Sequence, residues 1–210
     1  MVNSLRKSDS AAEIEIGKFL DCEFYPKHVT NMIRYNDLEN QMLGIDVKFD
    51  YQNLESMLVD EKVAAHYVNK DIPTFAFEVN FLLQSGILVN GWLFDENKKT
   101  GYYLLGWIWA IKDNCFLANE ITKIDIVIVN RNDVIRLLSD SGLTKESAFN
   151  ISKEIRAGNV SGVHFKTQDK PYYFYYSTLL AEKPINIIIK KSALVNISIG
   201  RHLITGNSRH

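Results

Sequence analysis

Two aspartates and a lysine have the types and the spacing that favour metal-assisted chemistry. Asp46 lies in one stretch of alternating apolar and polar residues, and Asp60 and Lys62 lie in the next. If the two stretches form a β-hairpin centred on Asn53, Asp46 and Asp60 face each other with Cβ atoms about 5 Å apart. Two carboxylates at that range repel each other unless one is protonated or a cation lies between them, and a hard divalent ion with oxygen ligands is a common solution.

Lys62 is predicted to share the strand face of Asp60, one alternation further along. An ammonium group beside a carboxylate-held metal ion can stabilise negative charge that develops on a phosphate oxygen, or it can hold and orient an attacking water. The alternative interpretation is a solvated sheet face with a surface salt bridge, worth about 0–1 kcal/mol. The apolar residues that flank these charges favour the catalytic interpretation, because they argue against a freely exposed face.

The elements that must position these residues follow from hydrophobic periodicity. A helix is predicted over 11–22, where Ile16, Phe19 and Leu20 recur at helical spacing, and a polar connection follows Pro26. Further helices are predicted over 133–138 and 144–157. Strands are predicted over 44–50, 56–64, 74–83, 86–94, 102–111, 123–130, 163–167, 172–178 and 185–189. The strands over 86–94 and 102–111 are predicted to form a hairpin around 95–101.

The order Asp46, then Asp60-Glu61-Lys62, resembles the D…(D/E)-x-K signature of the PD-(D/E)XK, or restriction-endonuclease-like, nuclease superfamily. In that superfamily a helix precedes a three-stranded meander, with the Asp on the second strand and (D/E)-x-K on the third. An additional Glu often lies on the first helix. The resemblance covers about 11–64 and extends by topology to about residue 130.

Two features of this chain depart from the family pattern. Ile45 stands where the Pro of the family name would precede the aspartate, although the Gly44-Ile45-Asp46 lead-in is similar to that of members with a GxD second strand. The segment 63–70 offers at most a short helix, whereas the superfamily has a helix and then a strand after the lysine.

The resemblance implies a mixed α/β fold and a metal-dependent nuclease. Asp46 and Asp60 would ligate Mg²⁺, with Mn²⁺ as a substitute, assisted by the backbone carbonyl of Glu61 and by Glu13. Lys62 would position or activate the water that attacks a phosphodiester. The implied fold is a restriction-endonuclease-like core with a central mixed sheet flanked by helices, plus additional β-hairpins.

Five other polar residues are assigned around this site. Glu13 matches the helical Glu of the family best and Glu15 is the reserve, although either position also suits a charge near a helix N-terminus. Gln41 is a candidate polar neighbour. Glu78, inside an apolar strand, is a candidate supporting residue or a salt-bridged Glu. The side chain of Glu61 is predicted to lie on an apolar strand face, so it needs a basic partner.

Length and composition place the chain among ordinary folded proteins. With 210 residues, 46% of them hydrophobic and 23% charged, it is not disordered, collagen-like or a disulfide scaffold. Against about 150 residues per domain, a single domain over 1–210 is expected, with a nuclease-like core over about 11–130 and a C-terminal extension over about 131–210 packed on it. No P-loop, dinucleotide-binding or serine-hydrolase motif is present in the sequence.

The balance of charge indicates that any nucleic acid must bind a local patch. The chain has 24 basic and 25 acidic residues, for a formal net charge of −1, so no global positive field attracts polyanions. The stretch from Lys183 to His210 contains no acidic residue and five lysines and arginines. It predicts either a phosphate-contacting patch or a frayed basic tail. The aromatic residues of the run Tyr172–Tyr176 alternate across a strand, so half of them are predicted to pack in the core. Core packing is favoured for the others too, and stacking on bases is their alternative.

The expected partner is nucleic acid, with DNA favoured over RNA. The oligomeric state stays open, with a homodimer as a candidate because restriction-type enzymes often dimerise. No secretory signal or membrane span is predicted, and the two cysteines give no disulfide framework, so the cytoplasm is the expected location. Two alternatives stay open. One is a non-catalytic member of the fold that binds nucleic acid or protein, and the other is a metal-dependent phosphatase.

Overall fold

The structure is a computed structural model that describes residues 4–206, and side chains from Ala11 onward. It is a mixed α/β fold with 30% helix and 37% strand. The helices are α1 (Ser4–Glu23), α2 (Tyr25–His28), α3 (Leu38–Met42), α4 (Arg131–Asp140), α5 (Lys145–Gly158) and α6 (Lys191–Asn196), with 3₁₀ turns at Ala65–Tyr67 and Ala118–Glu120.

Eleven strands are present in the described part of the chain, in two sheets. They are β1 (Thr30–Arg34), β2 (Val47–Tyr51), β3 (Leu54–Val63), β4 (Thr74–Leu82), β5 (Leu88–Asn90), β6 (Tyr102–Ala110), β7 (Ile121–Asn130), β8 (Gly162–His164), β9 (Tyr172–Tyr176), β10 (Ile185–Lys190) and β11 (Ser198–Thr205).

The backbone contacts divide the chain into two compact units. The first unit contains the residues up to Ile72, Lys99–Asn130 and the residues from Ser198 on, and the second contains Pro73–Lys98 and Arg131–Ile197. The expected C-terminal extension over 131–210 is therefore divided between the two units. The single-domain expectation stays a prediction.

The first unit is built on a mixed six-stranded sheet in the order β1-β2-β3-β6-β7-β11. The contact of β3 with β6 is parallel, and the other neighbours are antiparallel. Ile16, Phe19 and Leu20 of α1 are buried in one apolar cluster with Val59 and the inward residues of β2, β6 and β7. This packing explains why the helix predicted over 11–22 forms, and the structure extends it to Ser4–Glu23.

The second unit contains an antiparallel five-stranded sheet in the order β5-β4-β10-β9-β8. One face of this sheet buries Phe77, Phe174 and Ile187. Helix α5 contacts β4, where Asn80 donates to the Ser152 hydroxyl at 2.6 Å and accepts from Arg156 at 2.7 Å. The helix predicted over 144–157 forms as α5, with Thr144 as its N-cap, and Asn159 ends it in the left-handed conformation at φ 49°.

The predicted hairpin around 95–101 is wrong. Strand β5 pairs with β4 in the second unit, whereas β6 pairs with β3 and β7 in the first. The run at 102–111 is apolar on both faces because β6 is an interior strand with a neighbour on each side, and such strands do not show the alternation of an exposed hairpin. The strand predicted over 86–94 is reduced to three residues.

Two strands lie in segments that the sequence predicted as connections or left open. Strand β1 occupies part of the predicted polar connection after Pro26, and its residues are exposed or half-buried because it is a sheet edge. Strand β11 pairs with β7 through Ser198–Thr205, so this part of the basic C-terminal stretch is not frayed. The strand predicted from residue 44 begins at Val47, since α3 and Gly44 at φ 72° precede it.

The mixed α/β class is confirmed, and a restriction-endonuclease-like core stays a prediction. Within residues 4–206, no helix is long and apolar enough to cross a membrane.

We expect removal of β11 to destabilise the first unit. A chain ending at Ile197 loses the strand that covers β7 and the burial of Ile204, which pairs with Ile124. The loss of several kcal/mol should lower the melting temperature by about 10 °C, at about 2–4 °C per kcal/mol. Thermal denaturation followed by circular dichroism measures this. A chain ending at Gly206 keeps the whole strand and is the control; equal melting temperatures for both truncations would contradict the expectation.

Candidate active site

Asp46 is held at the start of β2 by backbone hydrogen bonds on both sides. Its amide donates to the carbonyl of Val59 at 3.0 Å, and its carbonyl accepts from the amide of Tyr35 at 2.8 Å. Before it, Gly44 adopts φ 72°, which favours glycine, and its carbonyl accepts a hydrogen bond from the buried Thr100 hydroxyl. These hydrogen bonds and the left-handed glycine hold the backbone of Gly44-Ile45-Asp46 in place and position the aspartate beside β3.

The register of β2 with β3 brings Asp46 and Asp60 together as the sequence predicted. Val47 pairs with Val59, so the next pair outward is Asp46 with Asp60. Their carboxyl groups are close enough to share a hydrogen bond. The amide of Glu61 also donates to Asp46 Oδ2 at 2.7 Å. These two carboxyl groups form the centre of the candidate site.

Lys62 completes the arrangement on the same strand face as Asp60. Its ammonium lies 2.7 Å from Asp60 Oδ1, and the Asp60 side chain is 4% exposed. The parallel partner β6 places buried Tyr103 and Leu105 beside Asp60 and Lys62, respectively. The charges therefore lie against an apolar floor, where electrostatic interactions are stronger than in water.

The pKa of Asp46 is raised to about 6. Burial is the main cause, and the negative charge of Asp60 adds to it, while Lys62 and the amide of Glu61 oppose it. Burial also disfavours the charge of Lys62, but the carboxylates of Asp60, Asp46 and, more weakly, Glu13 outweigh it, so the pKa of Lys62 lies above its ordinary value. Lys62 is therefore an ammonium ion at neutral pH, a donor and positive charge rather than a base.

Glu61 points to the opposite face of β3 and has the basic partner that its position required. Its carboxylate accepts from the guanidinium of Arg34 at 2.7 and 3.0 Å and from the Tyr25 hydroxyl. Arg34 also binds Asp21 through Nε and Nη2 at 2.7–3.0 Å. The Glu61 side chain is occupied by this network, so only its backbone carbonyl can take the ligand role that the resemblance implies.

The sequence interpretation missed Arg34 and Tyr25, because both lie in segments where no strand or buried residue was predicted. Burial and the Glu61 charge raise the pKa of Tyr25 well above its ordinary value. The pKa of Arg34 is also raised, because the hydrogen bonds to Glu61 and Asp21 outweigh the effect of burial. The only sequence signal for such a partner was the predicted position of Glu61 on an apolar strand face, which indicates that a basic side chain must lie nearby without identifying it.

The other assigned residues are placed as follows. Glu13 is exposed on α1, near enough for its charge to act on Lys62, and its ligand role stays a prediction. Glu15 binds Lys18 at 2.6 Å and accepts from the amide of Ala118 at 2.8 Å, which occupies it away from the aspartates. Gln41 is exposed on α3. Glu78 lies on β4 in the second unit.

The donor set fits a magnesium ion held by two carboxylates. Mg²⁺ is usually bound through one or two carboxylates and keeps several waters, and Asp46 and Asp60 supply two adjacent carboxyl groups whose mutual repulsion a cation would relieve. Across the described side chains, no group of three or more His, Cys, Asp or Glu is arranged to hold a metal ion. The site therefore fits a partly hydrated ion and not an all-protein cage.

Comparison with protein-family models, with curated proteins and with solved structures gives no match to this chain.

We expect Asp46→Asn to stabilise the metal-free protein at alkaline pH. A folded-state pKa of about 6 against 3.8 means that the folded protein binds more protons, so the stability contributed by Asp46 is present at low pH and falls as the pH rises through about 6. The substituted amide stays neutral and its oxygen can still accept from the Glu61 amide. The gain in unfolding free energy should be about 1–3 kcal/mol near pH 8 and should shrink near pH 4.

Urea denaturation in EDTA at both pH values measures this difference. Asp50→Asn is the matched control on the same strand: its carboxylate accepts from the amide of Ser56 and the side chain of Asn31, and its pKa is lowered mainly by the first bond. It should not stabilise the protein at alkaline pH. A loss of stability in Asp46→Asn near pH 8 would contradict the strained-carboxylate account.

We expect Arg34→Met to destabilise the protein by about 3–5 kcal/mol, because it leaves the largely buried Glu61 carboxylate without its cation. Adding Glu61→Gln should recover part of that loss, since the orphaned charge is then removed. Urea denaturation measures both variants. Arg136→Ala breaks an exposed ion pair with Asp133 and should cost only about 0–1 kcal/mol. If Arg34→Met and Arg136→Ala lowered the free energy of unfolding by the same amount, Arg34 would not be the cation that neutralises a buried Glu61.

Proposed function

We propose that this protein is a metal-dependent nuclease that hydrolyses phosphodiester bonds, with DNA as the favoured substrate over RNA. The observation that carries the proposal is the contact of Asp46 with Asp60 across the β2–β3 register, with the Lys62 ammonium 2.7 Å from Asp60. Two carboxyl groups in mutual contact weaken the fold unless a proton or cation joins them. A site that keeps them together beside a lysine is suited to binding a divalent ion.

Each residue has a distinct part in the proposed reaction. Asp46, Asp60 and the carbonyl of Glu61 would hold Mg²⁺, which when bound supplies a Lewis acid for a phosphate oxygen. Lys62 is charged, so it would donate hydrogen bonds to the attacking water or to a phosphate oxygen, and its positive charge would favour the crowded anion of the transition state. Tyr103 and Leu105 would limit water at the floor of the site.

The order of elements supports the same proposal. A helix, α1, is followed by the antiparallel meander β1-β2-β3, with Asp46 at the start of the second strand and Asp60 and Lys62 on the third. After Lys62 a 3₁₀ turn stands in place of the helix expected from the superfamily. Strands β4 and β5 of the other sheet follow, and the chain then returns to the first sheet as β6, parallel to β3. The homodimer and the cytoplasmic location stay predictions.

A non-catalytic member of the same fold is the second candidate, and one observation favours it. Among the described side chains, no third His, Cys, Asp or Glu joins Asp46 and Asp60 in a group that could hold a metal ion, and Lys62 forms an ion pair with Asp60 that competes with a metal ion. Such a protein would bind nucleic acid or another protein without cleaving a phosphodiester.

Cleavage of labelled single-stranded and duplex DNA and RNA with Mg²⁺ or Mn²⁺ tests the nuclease proposal. We expect Asp60→Asn and Lys62→Ala to lower the rate by about 10²–10³-fold or more, because each removes a charge that acts on the reacting phosphate. Asp125→Asn is the matched control. It removes another buried carboxylate from the same sheet, on β7 where Arg201 binds it at 2.8 Å, and should leave cleavage intact.

Metal binding provides a second measurement. Mg²⁺ or Mn²⁺ should raise the melting temperature of the wild type and of Asp125→Asn, but not of Asp60→Asn. Absence of cleavage on every substrate together with absence of metal stabilisation would overturn the proposal. Metal stabilisation and cleavage that persist in Lys62→Ala would remove Lys62 from the mechanism.

A further inference from the structure

The five-stranded sheet of the second unit has one face that its own core does not cover. The buried face carries the ring of Phe174 and the side chains of Ile187 and Ile189, which are fully buried. On the opposite face of β9, Tyr173 is half-buried and Tyr175 is 39% exposed. Strand alternation therefore sends half of the Tyr172–Tyr176 run into the core, as the sequence predicted, and leaves two tyrosines on the open face.

These two tyrosines lie on β9, between the edge strand β8 and the central strand β10. Tyr175 pairs with Val163 of β8 and with Asn186 of β10, and Tyr173 pairs with Ile188 of β10. Val163 is 52% exposed, while Asn186 and Ile188 are half-buried. Residues two apart on a strand are separated by about 7 Å, so each ring can contact a separate planar group. The surface therefore combines aromatic and aliphatic side chains with the polar Asn186 of the central strand.

Positive charge lies beside the rings. The ammonium of Lys166 lies over the Tyr173 ring, 5.1 Å from its centroid. Lys190 follows Ile188 on the same strand face, and its ammonium donates to the Gln168 carbonyl at 3.0 Å. The stretch 162–197, which contains β8, β9, β10 and α6, has five lysines against Asp169 and Glu182. The stretch therefore carries a net formal charge of +3 in a chain whose net charge is −1, and Asp169 lies near enough to Lys190 for the two charges to interact.

We propose that the open face around Tyr173 and Tyr175 binds single-stranded nucleic acid, with bases stacked on the two rings and the phosphates near Lys166 and Lys190. Unpaired bases expose their planar faces and stack on aromatic side chains with little dependence on sequence, while lysines attract the backbone. The proposal deepens the proposed function by naming the form of its substrate, and it rests on that function for its role. Binding itself is measured without cleavage.

The chemistry of this face favours a single strand over the other occupants. A duplex keeps its bases stacked inside, so it offers the tyrosines no free base to contact. A second copy of this face would bring the lysines around the rings against each other, which opposes pairing. Glu78 is an acidic residue of this face. It lies on β4 and pairs with Asn186 of β10, which in turn pairs with Tyr175 of β9. Because its carboxylate repels phosphates, we expect the bound oligonucleotide to follow β8 and β9 rather than β4.

Fluorescence anisotropy of a labelled oligothymidylate in EDTA tests the proposal. We expect Tyr175→Ala to weaken binding about tenfold and the double variant Tyr173→Ala, Tyr175→Ala to weaken it further, in line with the loss of stacking. Tyr175→Phe keeps the ring and should bind like the wild type. Lys166→Ala should weaken binding and reduce its salt dependence. Lys123→Ala is the matched control, since Lys123 lies over Trp109 in the first unit at 3.6 Å.

A direct readout comes from photocrosslinking an oligonucleotide that contains 5-iodouracil, with the crosslinked peptide expected to contain Tyr173 and Tyr175. Asp125→Asn should bind the oligonucleotide like the wild type, and because anisotropy in EDTA measures binding without cleavage, a failure of catalysis and a failure of the stacking surface are distinguishable. Equal affinities for the wild type and the folded double variant would overturn the proposal, as would a preference for duplex. So would a dimer in sedimentation that Tyr175→Ala dissociates, because the occupant would then be a second copy.

Discussion

The register of β2 against β3 is the constraint on which the candidate site depends. Because side chains alternate with a period of two, a slip of one residue would move Asp46 to the other face of the sheet and separate it from Asp60. The pairs of Val47 with Val59 and of Phe49 with Met57 hold the register, since all four side chains are buried in the apolar cluster of the first unit. The same packing that stabilises the sheet therefore places two carboxyl groups in contact.

Strand β3 carries opposite charge arrangements on its two faces. On the face that packs against α1, Glu61 is neutralised by Arg34 and hydrogen-bonded by Tyr25, which gives a closed network. On the other face, Asp60 and Lys62 balance each other, but Asp46 remains a half-buried carboxyl group with a raised pKa. A carboxyl group with a raised pKa lowers the stability of the fold when it is ionised, and groups with shifted pKa values are common at functional sites.

The second unit contributes a different kind of surface. Its sheet shows the alternation of an antiparallel sheet with one packed face, and the open face presents tyrosines and lysines rather than the purely polar residues of a solvated sheet. The candidate site supplies carboxylates for a metal ion, whereas this face supplies rings and positive charge. We propose that the first surface acts on a phosphodiester and that the second binds unpaired bases.

The sequence alone determined the features that depend on local alternation. These are the helix around Ile16, the strands that contain Asp46 and Asp60, their mutual register, and the need of Glu61 for a cation, because each follows from the period of side chains along one or two neighbouring elements. Tertiary structure decided the rest. The pairing of β6 with β3, the position of β11 in the first sheet and the ion pair of Arg34 with Glu61 were visible only in the tertiary structure. Long-range pairings and ion pairs depend on contacts between segments far apart in sequence, and no local pattern encodes which segments meet.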